Sequence, residues 1–227
     1  MTEFRAARVG WLRNNGLTLA LMVLFLASLT GQILTGWRVE VADLRMHGAP
    51  PDGLGRYLLS GAFLSALFEN WESEFLQMWV YVTLTAYLFQ RGSPESKDPD
   101  TSAPQDADPA ATRRTRHVPY PVRRGGLLLR LYSHSLGAAL LALFVLSFVF
   151  HWLNSARAAA NEARQHGEAA ASALGYLGEP QLWFESFQNW QSEFLSTAVL
   201  VVLGIWLRER GSPESKAMAD PHDKTGT

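Results

Sequence analysis

Apolar and polar positions fall in long blocks along this 227-residue chain, not in the short periods of a water-soluble domain. Leu17 to Leu34 and Leu136 to Leu153 are each 18 residues without a formal charge. As helix each is about 27 Å long, which matches the hydrocarbon core of a bilayer. Two shorter apolar runs, Phe75 to Phe89 and Phe194 to Leu207, make full spans only if helix extends back to Asn70 and Asn189. The pattern therefore predicts an all-α polytopic membrane protein with four transmembrane helices, at about 17–34, 70–90, 136–153 and 189–208. Tyr57 to Phe68 is a further apolar stretch, and Pro180 sits inside its later counterpart, so a short interfacial or re-entrant helix is expected there. Arg5, Arg8 and Arg13 ahead of the first run imitate a secretory signal. The matching run at residue 136 cannot be one, so a retained span is expected.

The blocks repeat. Shifting the chain by 119 residues lays Phe68 to Lys97 on Phe187 to Lys216 without a gap, with agreement at 18 of 30 positions. Asn70, Trp71, Glu74 and Phe75 fall on Asn189, Trp190, Glu193 and Phe194, and the run Arg91-Gly-Ser-Pro-Glu-Ser-Lys97 recurs unchanged as Arg210 to Lys216. Upstream agreement is sparser but includes Arg38, Arg45, His47 and Gly48, which fall on Arg157, Arg164, His166 and Gly167. The expected organisation is two tandem, parallel two-helix repeats, 1–98 and 124–216, joined by a disordered cytoplasmic linker at 99–123 and followed by a tail at 217–227.

Charge sets the expected orientation. Of twenty basic residues, fifteen lie in the amino-terminal arm, the stretch from Arg91 to Arg130 and the tail from Arg208, and five lie in the two loops inside the repeats. The positive-inside rule then places both termini and the linker in the cytoplasm of a bacterial inner membrane. The cluster Arg113, Arg114, Arg116, Arg123 and Arg124 reads as a topology signal with affinity for anionic lipid. A net charge of −1 with no basic, aromatic-interleaved stripe argues against a nucleic-acid partner. The chain has no cysteine, hence no disulfide framework and no thiolate site. His47, His134, His151 and His166 lack metal-ligand spacing, so neither metal nor other cofactor is expected, and no catalytic motif points to an enzyme.

Glu74 and Glu193 are the sharpest candidates for chemistry, because a carboxylate inside a span is costly. They have two readings: helix-capping residues one turn after Asn70 and Asn189, or an outer-edge cation or proton site. Since Glu72 becomes Gln191 while Glu74 keeps its acid, Glu74 and Glu193 rank first. Arg38 and Arg157 are expected to reach Glu74 and Glu193 from extensions of the first helices, which Gly48 and Gly167 would close as left-handed caps. Ser93-Pro94-Glu95 reads as the start of a new short helix, leaving Glu95, Lys97, Glu214 and Lys216 as a candidate cytoplasmic contact.

Asn15-Gly-Leu17, Gln32 with Gly36-Trp37-Arg38, Asn70-Trp-Glu-Ser-Glu-Phe75 and the two Gly-Ser-Pro-Glu-Ser-Lys runs resemble a family of bacterial integral membrane proteins of unknown function. The resemblance covers most of the chain outside the acidic linker. It implies membrane location and supplies no catalytic residue. The functional expectation is a structural or interaction component of the membrane, in contact with lipid and a homo-oligomer or membrane partner; the alternative is a small transport or channel subunit.

Overall fold

The computed structural model describes residues 2–113, Thr115 and 117–226, with side chains from Gly10 onward. The expectations for Arg5, Arg8, Arg114 and Arg116 lie outside the described side chains. Among the described residues every regular element is helical: α1 (Thr2–Met46), α2 (Leu54–Tyr57), α3 (Gly61–Leu84), α4 (Tyr120–Arg124), α5 (Gly126–Ser133), α6 (Ser135–Gln165), α7 (Ala173–Tyr176) and α8 (Pro180–Leu203). Two of them, α1 and α6, are long and apolar enough to cross a membrane. The apolar stretch of α1 has no buried residue, and Leu17, Val23 and Leu24 stand open on it. A helix apolar on all sides has a nonpolar surrounding as its natural solvent.

Element boundaries recur at the sequence offset. α2 and α3 reappear 119 residues on as α7 and α8, and α1 ends at Met46 as α6 ends at Gln165. Both long helices extend past their apolar cores and close in the same way. Gly48 and Gly167 take φ of 70° and 72°. Ala49 N–H then bonds Leu44 C=O, and Glu168 N–H bonds Ala163 C=O, each at 2.8 Å. This is the six-to-one bond of a Schellman cap, which a β-carbon at the left-handed position would strain.

The expected interfacial helix over 57–68 is not formed as a separate element. α3 begins at Gly61, where Ser60 Oγ accepts from Phe63 N (3.1 Å), and runs unbroken through Asn70. Pro180 occupies the first position of α8, where its missing N–H costs nothing and its fixed φ suits the helix. Asn70 and Asn189 are therefore interior residues and cannot cap. The Gly-Ser-Pro-Glu-Ser-Lys runs form turns instead of a new helix. Ser93 Oγ accepts from Glu95 N and Ser212 Oγ from Glu214 N, both at 3.2 Å. Ser96 Oγ accepts from Gln90 N and Ser215 Oγ from Glu209 N, both at 2.9 Å. These hydroxyl bonds satisfy the backbone locally and remove the incentive for helix. In the linker, short 3-10 turns occupy Pro104–Asp106 and Pro109–Thr112.

Packing divides the chain into two compact units, 1–64 and 65–227. In the first, Trp37 Nε1 donates to Asp52 C=O (2.8 Å), and buried Tyr57 packs on Phe63. In the second, Leu182, wholly buried, packs with Ala156 and Tyr176 beneath Trp152. α3 and α8 run parallel, linked by Gln77 Nε2 donating to Glu193 C=O (2.8 Å) and Thr197 Oγ1 (2.7 Å). α6 runs antiparallel to both: Phe150 stacks on Phe68 of α3, and Phe144 and Phe148 meet Trp190 and Trp183 of α8.

Candidate functional site

Where α3, α6 and α8 meet, a charged centre is enclosed. Glu69 and Glu72 are three residues apart and share one face of α3; Glu185 and Asn189, and Ser186 and Trp190, are four apart on α8. His151 of α6 projects between them. Glu72 and His151 are both wholly buried. Glu72 Oε1 accepts from Ser186 Oγ (2.8 Å) and Trp190 Nε1 (3.2 Å), and its Oε2 faces His151 Nδ1 at 3.0 Å. On the far side of the ring, Nε2 lies 3.4 Å from Glu185 Oε2. Glu185 is steadied by Gln181 Nε2 (2.7 Å), and Glu69 by Asn189 Nδ2 (2.5 Å).

Ring contacts flank the centre: Phe68 stacks on Phe150, Phe144 and Phe187 meet Trp190 edge-on, and Phe148 meets Trp183. Where Glu72 and His151 are wholly buried, charge is expensive unless paired. Three carboxylates share one imidazole here, and no lysine or arginine is ion-paired to them among the described residues. Even with the imidazole protonated, acid outnumbers base. One donor atom each from Glu69, His151 and Glu185 lie within 4.8 Å of one another, so these three could hold a metal ion.

The residues ranked first by sequence lie elsewhere. Glu74 is exposed and Glu193 partly buried, close enough for their charges to interact, and neither sits at a helix start. Asn70 Nδ2 turns back to Ala66 C=O (2.7 Å). Trp71 packs edge-on to Phe68, while its counterpart Trp190 joins the centre through Glu72. Arg38 is exposed on α1. Arg157 bonds Asn154 Oδ1 (3.2 Å) and forms no ion pair with Glu193 among the described residues. The geometry of antiparallel helices explains this. From the level where His151 meets Glu185, Arg157 lies about 9 Å one way along α6 and Glu193 about 12 Å the other way along α8.

Glu95, Lys97, Glu214 and Lys216 gather around the chain's own linker and tail. Lys97 Nζ pairs with Asp106 (2.7 Å) and lies over the Phe89 ring. Lys216 Nζ, almost wholly buried, donates to the carbonyls of Gly92 (2.6 Å), His222 (2.9 Å) and Lys224 (3.1 Å). Glu95 accepts from the Tyr81 hydroxyl and lines, with Lys97 and Glu214, a cavity of about 700 Å³. Burial first, opposed by that hydroxyl, and then the Glu214 carboxylate push the Glu95 carboxyl above its ordinary range.

Fold and centre together define an all-helical protein with two helices long enough and apolar enough to cross a membrane, built around a buried carboxylate–imidazole cluster. The chain belongs to the family described as Domain of unknown function (DUF6766), whose family model matches residues 8–227. Neither the search of curated proteins nor that of solved structures returns a match.

Proposed function

We propose that this chain is a four-span protein of the bacterial cytoplasmic membrane, two tandem two-helix copies with both termini inside, and that its α3–α6–α8 centre holds a cation. In this reading α3 and α8, each 24 residues and about 36 Å long, are the second and fourth spans. Their acids are tolerated because they face protein instead of lipid. The protein is then a small transport or cation-binding subunit, not a passive scaffold. One observation carries this: three carboxylates converge on a single buried imidazole. Buried acid in excess of base is relieved by a proton or by a cation, and donor atoms gathered within 4.8 Å of one another favour the cation.

Melting temperature of the purified protein in detergent, across chloride salts of Na⁺, K⁺, Mg²⁺, Ca²⁺, Mn²⁺ and Zn²⁺, tests the reading. At a hundredfold excess over Kd the cation that fits adds about 2.7 kcal/mol, a shift of several degrees, and Glu185→Gln removes the response. Melting that is indifferent to all six ions contradicts it.

A further inference from the structure

Resting on that reading, we propose that the centre is a site for a divalent first-row transition metal, with Glu69, His151 Nε2 and Glu185 as ligands and Glu72 as the partner that orients the imidazole. Three features of the geometry lead there.

First, the two sides of the imidazole differ. Nδ1 lies 3.0 Å from Glu72 Oε2, an ordinary hydrogen-bond length. Nε2 lies 3.4 Å from Glu185 Oε2, a longer and looser contact. With Nδ1 engaged by Glu72, Nε2 is the ring nitrogen that faces the remaining acids and can offer its lone pair to an ion. A carboxylate behind the imidazole, fixing the tautomer and raising the basicity of the other nitrogen, is the recurrent outer partner of a metal-bound histidine.

Second, the spacing at Nε2 suits coordination. Nitrogen and oxygen donors at about 2.0–2.2 Å from a tetrahedral ion are about 3.4 Å apart along an edge. The Nε2–Oε2 separation has that value, and Glu69 completes a group spanning no more than 4.8 Å. Third, each acid is held by a neighbouring donor. Ser186 and Trp190 occupy Glu72, Gln181 holds Glu185 Oε1, and Asn189 holds Glu69 Oε1. Glu185 Oε2 faces His151 Nε2, and the second oxygen of Glu69 has no hydrogen bond among the described residues. Glu185 keeps a quarter of its side chain exposed, which gives an ion a way in.

One imidazole with two carboxylates selects Zn²⁺, Mn²⁺ or Fe²⁺ over Mg²⁺ and Ca²⁺, which prefer all-oxygen shells. Three protein ligands leave a fourth position for water or a passing ligand. A divalent ion beside a neutral imidazole leaves the cluster with one negative charge, against two for an imidazolium and three carboxylates.

The test uses untagged, full-length protein in detergent, titrated with Co²⁺ and read by its visible d–d absorption. One equivalent is expected to bind and to be displaced by Zn²⁺. His151→Gln and Glu69→Gln should each weaken binding at least tenfold, while Glu162→Gln, on the exposed side of α6, leaves it unchanged. X-ray absorption on the Zn²⁺-loaded wild type supplies a reading that does not depend on the folding of His151→Gln: a shell of one imidazole nitrogen with oxygens. Absence of Co²⁺ bands, equal binding by all three variants, or a shell with two or more imidazoles overturns the proposal. Stabilisation by Na⁺ or Ca²⁺ without Co²⁺ binding overturns the metal class and leaves the cation reading standing; no response to any cation removes both.

Discussion

Glu72→Ala is expected to destabilise the α3–α6–α8 unit by about 3–5 kcal/mol, the largest effect of any single change in the chain. Both carboxylate oxygens are in use, and three partners lose their acceptor together: the Ser186 hydroxyl, the Trp190 indole N–H and His151 Nδ1. Ser186 and His151 are wholly buried, so water cannot replace what is removed. Glu72→Gln keeps an acceptor for Ser186 and Trp190 and should recover part of the loss, but its amide cannot return the charge that faces His151. Thermal melting in detergent measures the ranking, wild type above Gln above Ala. Equal melting of Ala and Gln variants would show that hydrogen bonding to Ser186 and Trp190 contributes nothing.

Lys216→Met is expected to release the carboxyl-terminal tail, at a cost of about 1–3 kcal/mol to that region. The tail returns to the first copy's exit turn: Gly92 N–H donates to Thr225 Oγ1 (2.8 Å), and Gly226 N–H donates to Ser93 C=O (3.0 Å). Lys216 sits at the centre of this strap, its ammonium donating to the carbonyls of Gly92, Pro221, His222 and Lys224. Burial, and then Arg208, lower its pKa from the ordinary lysine value. Gly92 itself has φ of 84°, and a β-carbon there would strike His222 C=O. Limited proteolysis with carboxypeptidase reads the effect. The wild-type tail should resist digestion and the Met variant should lose it at least tenfold faster; identical rates would mean the strap does not protect the tail.

The helical architecture was legible because its signals are local. Eighteen uncharged residues at Leu17 and Leu136 announce α1 and α6, and Gly48 and Gly167 mark the caps where those helices end. Helix starts were less legible. Asn70 reads as a cap in isolation, but helix propensity and Ser60 carry α3 past it, and Pro180 is harmless once it falls on the first turn.

The centre was missed for a specific reason. Comparing the copies rewards sameness, and each acid or base of the centre falls where the copies differ. Glu69 and Glu72 stand opposite Gln188 and Gln191, His151 opposite Gln32, and Glu185 opposite Ala66. The site draws on α3 from one of the two matching stretches of sequence and on α6 and α8 from the other. A usable signal was present: a histidine inside an otherwise uncharged span is costly and asks for a partner. Its partners are 79 and 34 residues away in sequence, and only packing brings them together.

Because the chain lacks cysteine, single substitutions label without background. Pro51→Cys, Ser102→Cys, Ala170→Cys and Met218→Cys place one thiol in each connecting segment or tail, at positions that are exposed. With a membrane-impermeant maleimide on intact spheroplasts, four spans with both termini inside predict labelling at positions 51 and 170, and at 102 and 218 only after permeabilisation. Labelling of 51 and 102 from the same side, or recovery of the protein in the soluble fraction, would contradict the account.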